Sequence, residues 1–182
     1  MGLPLLAAAE HRKMTDSPFC MYPCEPNWAF PFCNAMSLNG QILHDRLHGT
    51  TFSEDTIPHY RRSFDDEFVR PDGRANVIRS RRVGIALPFS VVTVSDAVVA
   101  FWMNPGLPDL AQRTWWFIRD QLLDIAGGRA EVGMRGWDTL DPGNYTLNNP
   151  GYTLAKLVLA AREMGDEEAA DAVQAKLEER PR

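Results

Sequence analysis

The stretch "PFCNAMSLNGQILHDRLHG", residues 31–49, carries the strongest helix signal in the chain. Proline suits the first turn of a helix, where its missing N–H would have no partner, and the glycine at 49 supplies a stop. Four aliphatic residues at helical spacing predict a buried face, formed by Leu38, Ile42, Leu43 and Leu47. The sequence therefore predicts a helix over about 31–48.

The segments that follow this helix predict a second helix and then extended chain. The second helix covers about 54–68 with Ser53 as its N-cap, although Pro58 is difficult to place unless the helix starts near residue 57. Residues 75–88 are rich in β-branched side chains and show little helical periodicity, so they are the best strand candidate.

The second half of the chain predicts three more helical elements. Residues 107–123 form an amphipathic pattern with Pro108 in the first turn. Residues 149–180 predict a hairpin of two helices that meet at Gly165, with Asp166 as the N-cap of the second. We therefore expect a mainly α protein built from paired helices, with long loops and at most a short β element.

Composition fits an ordinary globular protein of 182 residues, and we expect one domain over residues 1–182. The net charge of −5 argues against binding to nucleic-acid phosphates, which needs a basic surface. No run approaches the roughly 20 apolar residues that span a bilayer. The apolar start lacks the features of a signal peptide, so the cytoplasm is the default expectation and no membrane partner is predicted.

Two of the three cysteines lie in the loop "PCEPNWAFPFCN", residues 23–34. Cys33 would lie in the first turn of the predicted helix, where free N–H groups and the helix dipole favour a thiolate. Cys24 precedes Glu25 in an apolar loop, which favours a protonated thiol. The two predict an acid–base pair, although buried structural cysteines would show the same spacing.

Aromatic residues surround these thiols. Trp28, Phe30 and Phe32 lie between the cysteines, and loops seldom bury three large rings without a cavity to line. Tyr145, in a later glycine- and asparagine-rich loop, is a further candidate for such a pocket. These four residues are the predicted contacts of an apolar ligand.

Two other groups of residues are candidate metal ligands. His44 and His48 share a helical face and are candidate metal ligands, with Asp45 between them, but the glutamate of the zincin motif is missing. The spacing of Cys20, Cys24 and Cys33 is a weak match to structural zinc sites. We therefore do not predict a metal site.

The sequence resembles the linalool dehydratase/isomerase family in two places. "CEPNWAFPFCN" followed by "LHDRLHGT" resembles the cysteine loop of that family and its following helix, and "NNPGYTLAKLVLAAREMGDEEAADAV" is similar to its carboxy-terminal hairpin. The resemblance implies an (α/α)6 barrel, with Cys24 and Cys33 in the active site and Phe30 lining a terpene pocket. It further implies dehydration or isomerisation of a small hydrophobic alcohol without metal or organic cofactor.

The resemblance also bears on partners, since members of the family form ring-shaped homo-oligomers and have chains about twice this length. We therefore expect a half barrel that is a homo-oligomer, or that binds a partner chain supplying the front half, or that is a non-catalytic remnant. A carbohydrate-active alternative would use Asp65, Asp66 and Glu67, but three consecutive carboxylates point in different directions from a helix.

Overall fold

The computed structural model describes residues 3–71, 73–87, 92–133 and 150–179, and these are mainly helical. The helices are α1 (Leu3–Thr15), α2 (Pro31–His48), α3 (Phe52–Glu67), α4 (Val92–Met103), α5 (Pro108–Gln121), α6 (Pro150–Glu163) and α7 (Glu167–Glu178). The strands are β1 (Pro23–Glu25), β2 (Trp28–Ala29), β3 (Ile78–Ser80), β4 (Ala86–Leu87), β5 (Leu123–Ala126) and β6 (Arg129–Val132). The predicted mainly α class is confirmed.

The chain divides into two compact units. The first consists of Met1–Leu87 with Pro105–Pro108, and the second of Pro88–Asn104 with Asp109–Arg182. In the first unit α1, α2 and α3 pack on one another around large buried side chains: Met14, Met21, Leu38, Tyr60, Phe64 and Phe68. Both cysteines of the predicted pair belong to this unit.

A four-stranded antiparallel sheet in the order β1-β2-β3-β4 joins the cysteine loop to a part of the first unit that comes much later along the chain. Trp28 pairs with Ser80 and Ala29 with Arg79, and Ile78 pairs in turn with Leu87. The strand predicted at 75–88 is therefore present as β3 and β4. The strands at 23–29 were not predicted, since that segment, with its several prolines, favoured an irregular loop.

Helix α2 has the predicted boundaries, with Pro31 as its first residue and Gly49 at its end in the left-handed conformation (φ 66°). The N–H of Gly49 donates to the carbonyl of Asp45 at 2.8 Å, which closes the last turn. The predicted buried face is only half right. Leu38 and Ile42 are buried, but Leu43 and Leu47 are 58% and 69% exposed.

Helix α3 begins earlier than predicted, at Phe52, and continues through Pro58. Its N-cap residue is Thr51, whose side chain makes no capping hydrogen bond. Ser53 lies inside the first turn, and both its N–H and its hydroxyl donate to the Asp45 carboxylate, at 2.7 and 2.6 Å. The prediction of Ser53 as the cap is therefore wrong, because a side chain from α2 takes that role.

The second unit is built around α6 and α7, which pack closely on each other and on neighbouring elements. As predicted, they form a hairpin that turns at Gly165 (φ 72°), and Asp166 caps α7 by accepting from the N–H of Ala169 at 3.0 Å. Small residues on α7, among them Ala169, Ala170 and Ala172, are fully buried and allow this close packing.

Candidate functional site

The cysteine loop is a tight antiparallel turn followed directly by α2. Cys24 lies on β1 and the chain reverses at Asn27 (φ 76°) into β2, from which Phe30 leads to the first turn of α2. The reversal brings the two thiols close enough for each to be the largest influence on the pKa of the other. Cys24 is exposed and Cys33 is half-buried, and both are free thiols.

The two thiols have opposite proton affinities. The hydrogen bond from Cys33, with a further one from the backbone N–H of Phe30, lowers the pKa of Cys24. The hydrogen bond to Cys24, together with burial, raises the pKa of Cys33 well above its ordinary range. Cys24 is therefore the thiol that loses its proton first as the pH rises, whereas Cys33 keeps its proton. This reverses our expectation from helix position, because the Cys24 thiolate is better exposed to water and better supplied with donors than Cys33.

Asn34, the last residue of the motif, fixes the start of the loop on α2. Its Oδ1 accepts from the N–H of Tyr22 at 3.0 Å, and its Nδ2 donates to the carbonyls of Tyr22 at 3.1 Å and Phe30 at 2.9 Å. The side chain is fully buried, so these bonds are shielded from water. Asn34 thus holds the chain at Tyr22, two residues before Cys24, and at Phe30, three residues before Cys33.

Asn27 fixes the tip of the loop on the turn between β3 and β4. Its Oδ1 accepts from the hydroxyl of Ser80 at 3.1 Å and from the N–H of Arg82 at 2.9 Å, and its carbonyl accepts from the N–H of Arg81 at 2.9 Å. Asparagine tolerates the left-handed conformation better than most residues. Asn27 therefore supplies both the turn at the tip of the motif and its attachment.

Two tyrosines near the thiols were missed by sequence reasoning. The hydroxyl of Tyr22 lies 2.6 Å from that of Ser37 on α2, and burial, with smaller contributions from Glu10, Cys24 and Cys33, raises the pKa of Tyr22. Tyr60 is fully buried on α3 and donates to the carbonyl of Pro31 at 2.8 Å, which anchors the first turn of α2. Tyr60 lies far from the motif along the chain, so no sequence pattern links it to the thiols. Tyr22 lies two residues before Cys24, and this proximity was a usable signal.

The predicted aromatic contacts have different environments. Phe30 is buried, whereas Trp28 and Phe32 are half-buried, and the rings of Phe30 and Phe32 meet edge to face with centroids 5.5 Å apart. All three belong to the loop that holds the thiols. Tyr145 lies outside the described residues. The role of these side chains in ligand binding stays a prediction.

His44 and His48, the alternative candidates for metal ligands, belong to a network of side-chain contacts. His44 is buried, with Nδ1 2.9 Å from the hydroxyl of Thr50 and its ring against that of His48 at a centroid distance of 4.4 Å. Burial raises the pKa of Asp45, but hydrogen bonds from Ser53 and Thr50 outweigh it and hold the value below the ordinary one. Among the described residues no group of three or more His, Cys, Asp or Glu is placed to hold a metal.

The remaining alternatives also have structural partners. Cys20 is buried and donates to the carbonyl of Thr56 at 3.8 Å, and burial raises the pKa of this thiol to about 11. Asp65 pairs with Arg61 at 2.6 Å, and Glu67 pairs with Arg79. These carboxylates therefore belong to ion pairs on the helix surface rather than to a shared cleft.

The family model for linalool dehydratase/isomerase matches residues 4–182. The chain belongs to the linalool dehydratase/isomerase family. No curated protein matches the chain. The family match covers both compact units and includes the cysteine loop, so the resemblance seen in the motif extends through the C-terminal hairpin. No described helix has the length and apolar character that crossing a membrane requires.

Proposed function

We propose that this chain carries the acid–base centre of a linalool dehydratase/isomerase-like enzyme, with Cys24 as base and Cys33 as acid. The observation that carries the proposal is a pair of neighbouring free thiols, each the largest influence on the other's pKa, whose pKa values move in opposite directions. Such a pair holds one proton between two sulfur atoms, as acid–base catalysis requires. Family membership supports a small hydrophobic alcohol of the terpene type as substrate.

Dehydration of an allylic alcohol balances on this pair. Cys33 donates its proton to the hydroxyl oxygen, the C–O bond breaks, and water leaves with the bonding electrons. The Cys24 thiolate removes a proton from the carbon next to the allylic cation, whose C–H electrons form the new double bond. The proton then returns from Cys24 to the neighbouring Cys33, which restores the starting state. No metal or organic cofactor takes part in these steps.

The aromatic residues of the loop supply the remaining requirement, since the substrate develops positive charge as water leaves. Trp28 and Phe32, both half-buried beside the thiols in sequence, are the proposed contacts of the hydrocarbon chain. A ring face near the allylic cation would stabilise it by about 1 kcal/mol. Isomerisation follows from the same cation if water adds back at the other end of the allylic system.

The test is turnover of linalool and geraniol followed by gas chromatography. We expect Cys24→Ser and Cys33→Ser each to lower kcat by about 100-fold or more, because each removes one proton-transfer group. Cys20→Ser is the matched control, since this thiol is buried and bonded to Thr56 rather than to the pair. Turnover that persists in either variant of the pair would contradict the proposal.

A second candidate function, a binding module that associates with its own copies, is favoured by the outer face of α2. Met36, Gly40, Leu43 and Leu47 recur on one side of this helix, and all four are exposed; we call them the α2 stripe. An apolar helix face of this kind is self-complementary, so two copies can bury it against each other about a twofold axis. This agrees with the homo-oligomer expected from the family resemblance.

Light scattering at several protein concentrations tests this second candidate. The double variant Leu43→Ser/Leu47→Ser should be monomeric where the unaltered protein is a dimer or larger. Leu159→Ser, which alters an exposed leucine of α6, is the control and should leave the association unchanged. A monomer at all concentrations for the unaltered protein would rule out the α2 stripe as a self-association surface.

A further inference from the structure

An open cavity of about 610 Å³ adjoins the cysteine loop on the side of α1. Its lining combines the end of α1, the residues before Cys24 and the turn after β3. The polar and aromatic lining residues are Arg12, Lys13, Asp16, Ser17, Tyr22 and Arg81. Pro23, which directly precedes Cys24, also contributes to the lining.

The charge of this lining is strongly positive for a protein whose net charge is −5. Arg12, Lys13 and Arg81 contribute three cations, against one carboxylate from Asp16. All three cationic side chains are exposed, and within the described part of the chain none of them makes an ion pair. The ammonium of Lys13 lies 5.8 Å from the centre of the Tyr22 ring.

Helix stabilisation explains only part of this cluster. Arg12 and Lys13 lie in the last turn of α1, where a cation interacts favourably with the helix dipole. Arg81 comes from a different element, and its N–H is held against the loop by the carbonyl of Asn27 at 2.9 Å. The backbone hydrogen bond between Arg81 and Asn27 therefore places a third cation beside Arg12 and Lys13. This bond does not stabilise α1, so helix stabilisation does not explain the position of Arg81.

We propose that this cavity binds the phosphate or diphosphate group of a small organic molecule. Three cations and one carboxylate leave a net charge of about +2, which matches a phosphate dianion better than a single carboxylate. Two guanidinium groups and an ammonium also offer the donor geometry that phosphate oxygens accept, since arginine binds such oxygens in a bidentate manner.

The position of Tyr22 connects the anion site with the thiols. Its ring lines the cavity, and its hydroxyl reaches Ser37 on α2, the helix that carries Cys33. A ligand whose phosphate occupies the cavity can therefore direct its hydrocarbon part toward the pair. This step rests on the proposed function and extends it to hydrophobic alcohols that carry a phosphate group in addition to the hydroxyl that leaves as water, whereas the anion site itself does not depend on it.

Titration calorimetry with inorganic phosphate and inorganic diphosphate tests the site. We expect saturable binding of one anion per chain, weakened by about tenfold or more in Arg81→Ala and in Lys13→Ala, because each variant loses a charged donor. Arg82→Ala is the matched control. It removes the same charge from the adjacent position of the same turn, whose side chain does not line the cavity, and should bind as the unaltered protein does.

Binding that is not saturable, or that is lost equally in Arg82→Ala, would overturn the proposal. Acetate tests whether the site binds carboxylates equally well. If acetate binds as tightly as phosphate, the assignment to a phosphate group is wrong. Because all the altered side chains are exposed, thermal unfolding of each variant should match that of the unaltered protein. A variant that fails this check is replaced by Arg81→Gln or Lys13→Gln, which keep the length of the side chain approximately.

The connection with the thiols has its own measurement. Bound diphosphate should slow alkylation of Cys24 by iodoacetamide several-fold in the unaltered protein, because a nearby polyanion disfavours the thiolate, and should have no effect in Arg81→Ala. If diphosphate binds saturably but does not slow the alkylation of Cys24, the connection with the thiols is wrong, whereas the anion site itself is still supported. Failure of the proposed chemistry is seen separately, as turnover that persists in Cys24→Ser.

Discussion

The side chain of Asn34 satisfies both backbone groups of Tyr22, accepting from its N–H at 3.0 Å and donating to its carbonyl at 3.1 Å. The buried side-chain amide of Asn34 therefore pairs with the backbone of Tyr22 as a neighbouring strand would. Tyr22 directly precedes the cysteine loop. Since the same Nδ2 also donates to Phe30, the two ends of the loop are held by one side chain.

Replacing Asn34 should be costly to stability. Asn34→Ala leaves the N–H and carbonyl of Tyr22 without their partner, whereas the carbonyl of Phe30 keeps the backbone N–H of residue 34 at 3.3 Å; we expect the free energy of unfolding to fall by about 2–4 kcal/mol. Urea denaturation followed by circular dichroism measures this. Asn104→Ala is the control, because within the described part of the chain the amide of Asn104 bonds to an exposed carboxylate, that of Glu163, and the loss there should stay below about 1 kcal/mol. Equal losses in the two variants would contradict the role assigned to Asn34.

Two substitutions of Asn27 separate conformation from hydrogen bonding. Asn27→Gly keeps the left-handed turn but loses the acceptor for Ser80 and Arg82, so we expect a loss of about 1–2 kcal/mol. Asn27→Ala loses the acceptor and also strains the turn, which should add about 1 kcal/mol. Thermal unfolding of both variants gives the comparison. An alanine variant as stable as the glycine variant would show that the turn relaxes to another conformation.

The reactivity of Cys24 should depend on Cys33. The hydrogen bond from Cys33 is the main cause that holds the pKa of Cys24 below its ordinary value of 9.0. The rate of alkylation by iodoacetamide should therefore rise with pH around a midpoint below 9.0, and Cys33→Ala should move this midpoint upward. Peptide mass analysis assigns the label, and Cys20, whose pKa is raised to about 11, should stay unlabelled. An unchanged midpoint in Cys33→Ala would mean that the two thiols are not coupled.

Asp45 should make the stability of the first unit depend on acid pH. Its pKa is lowered in the folded protein, so the carboxylate stabilises the fold fully above the unfolded value of 3.8, and this contribution is lost as the pH falls through the lower folded value. Asp45→Asn should lower the free energy of unfolding by about 1 kcal/mol at neutral pH, because α3 loses its charged cap. The difference between variant and unaltered protein should shrink in acid. Asp66→Asn, at an exposed position of α3, should show neither effect.

Local signals were sufficient for α2 and for the final hairpin. Pro31, Gly49 and Asp166 act on their own helix ends, and the structure places each where its backbone chemistry predicts. Burial along α2 was harder to predict. Leu43 and Leu47 follow the same spacing as Leu38, yet they are exposed, because burial depends on which neighbouring element covers a face.

Long-range contacts account for the rest. Nothing within five residues of Ser53 indicates that Asp45 caps its helix, and nothing near Asn27 indicates that Ser80 is its partner. The proton assignment of the thiols likewise depended on the hydrogen bond between them and on their exposure. Position along the helix alone had favoured the opposite assignment.

The pairing of β2 with β3 has a consequence for the order in which the protein forms during synthesis. The tip of the cysteine loop is held by Ser80, Arg81 and Arg82, which the ribosome adds more than fifty residues after Asn27. The nascent chain can form α1 and α2 early, but the loop acquires its final attachment only when β3 and β4 have left the exit tunnel. Until then the thiols of the pair belong to an unfinished turn, exposed to whatever oxidants and chaperones the emerging chain meets.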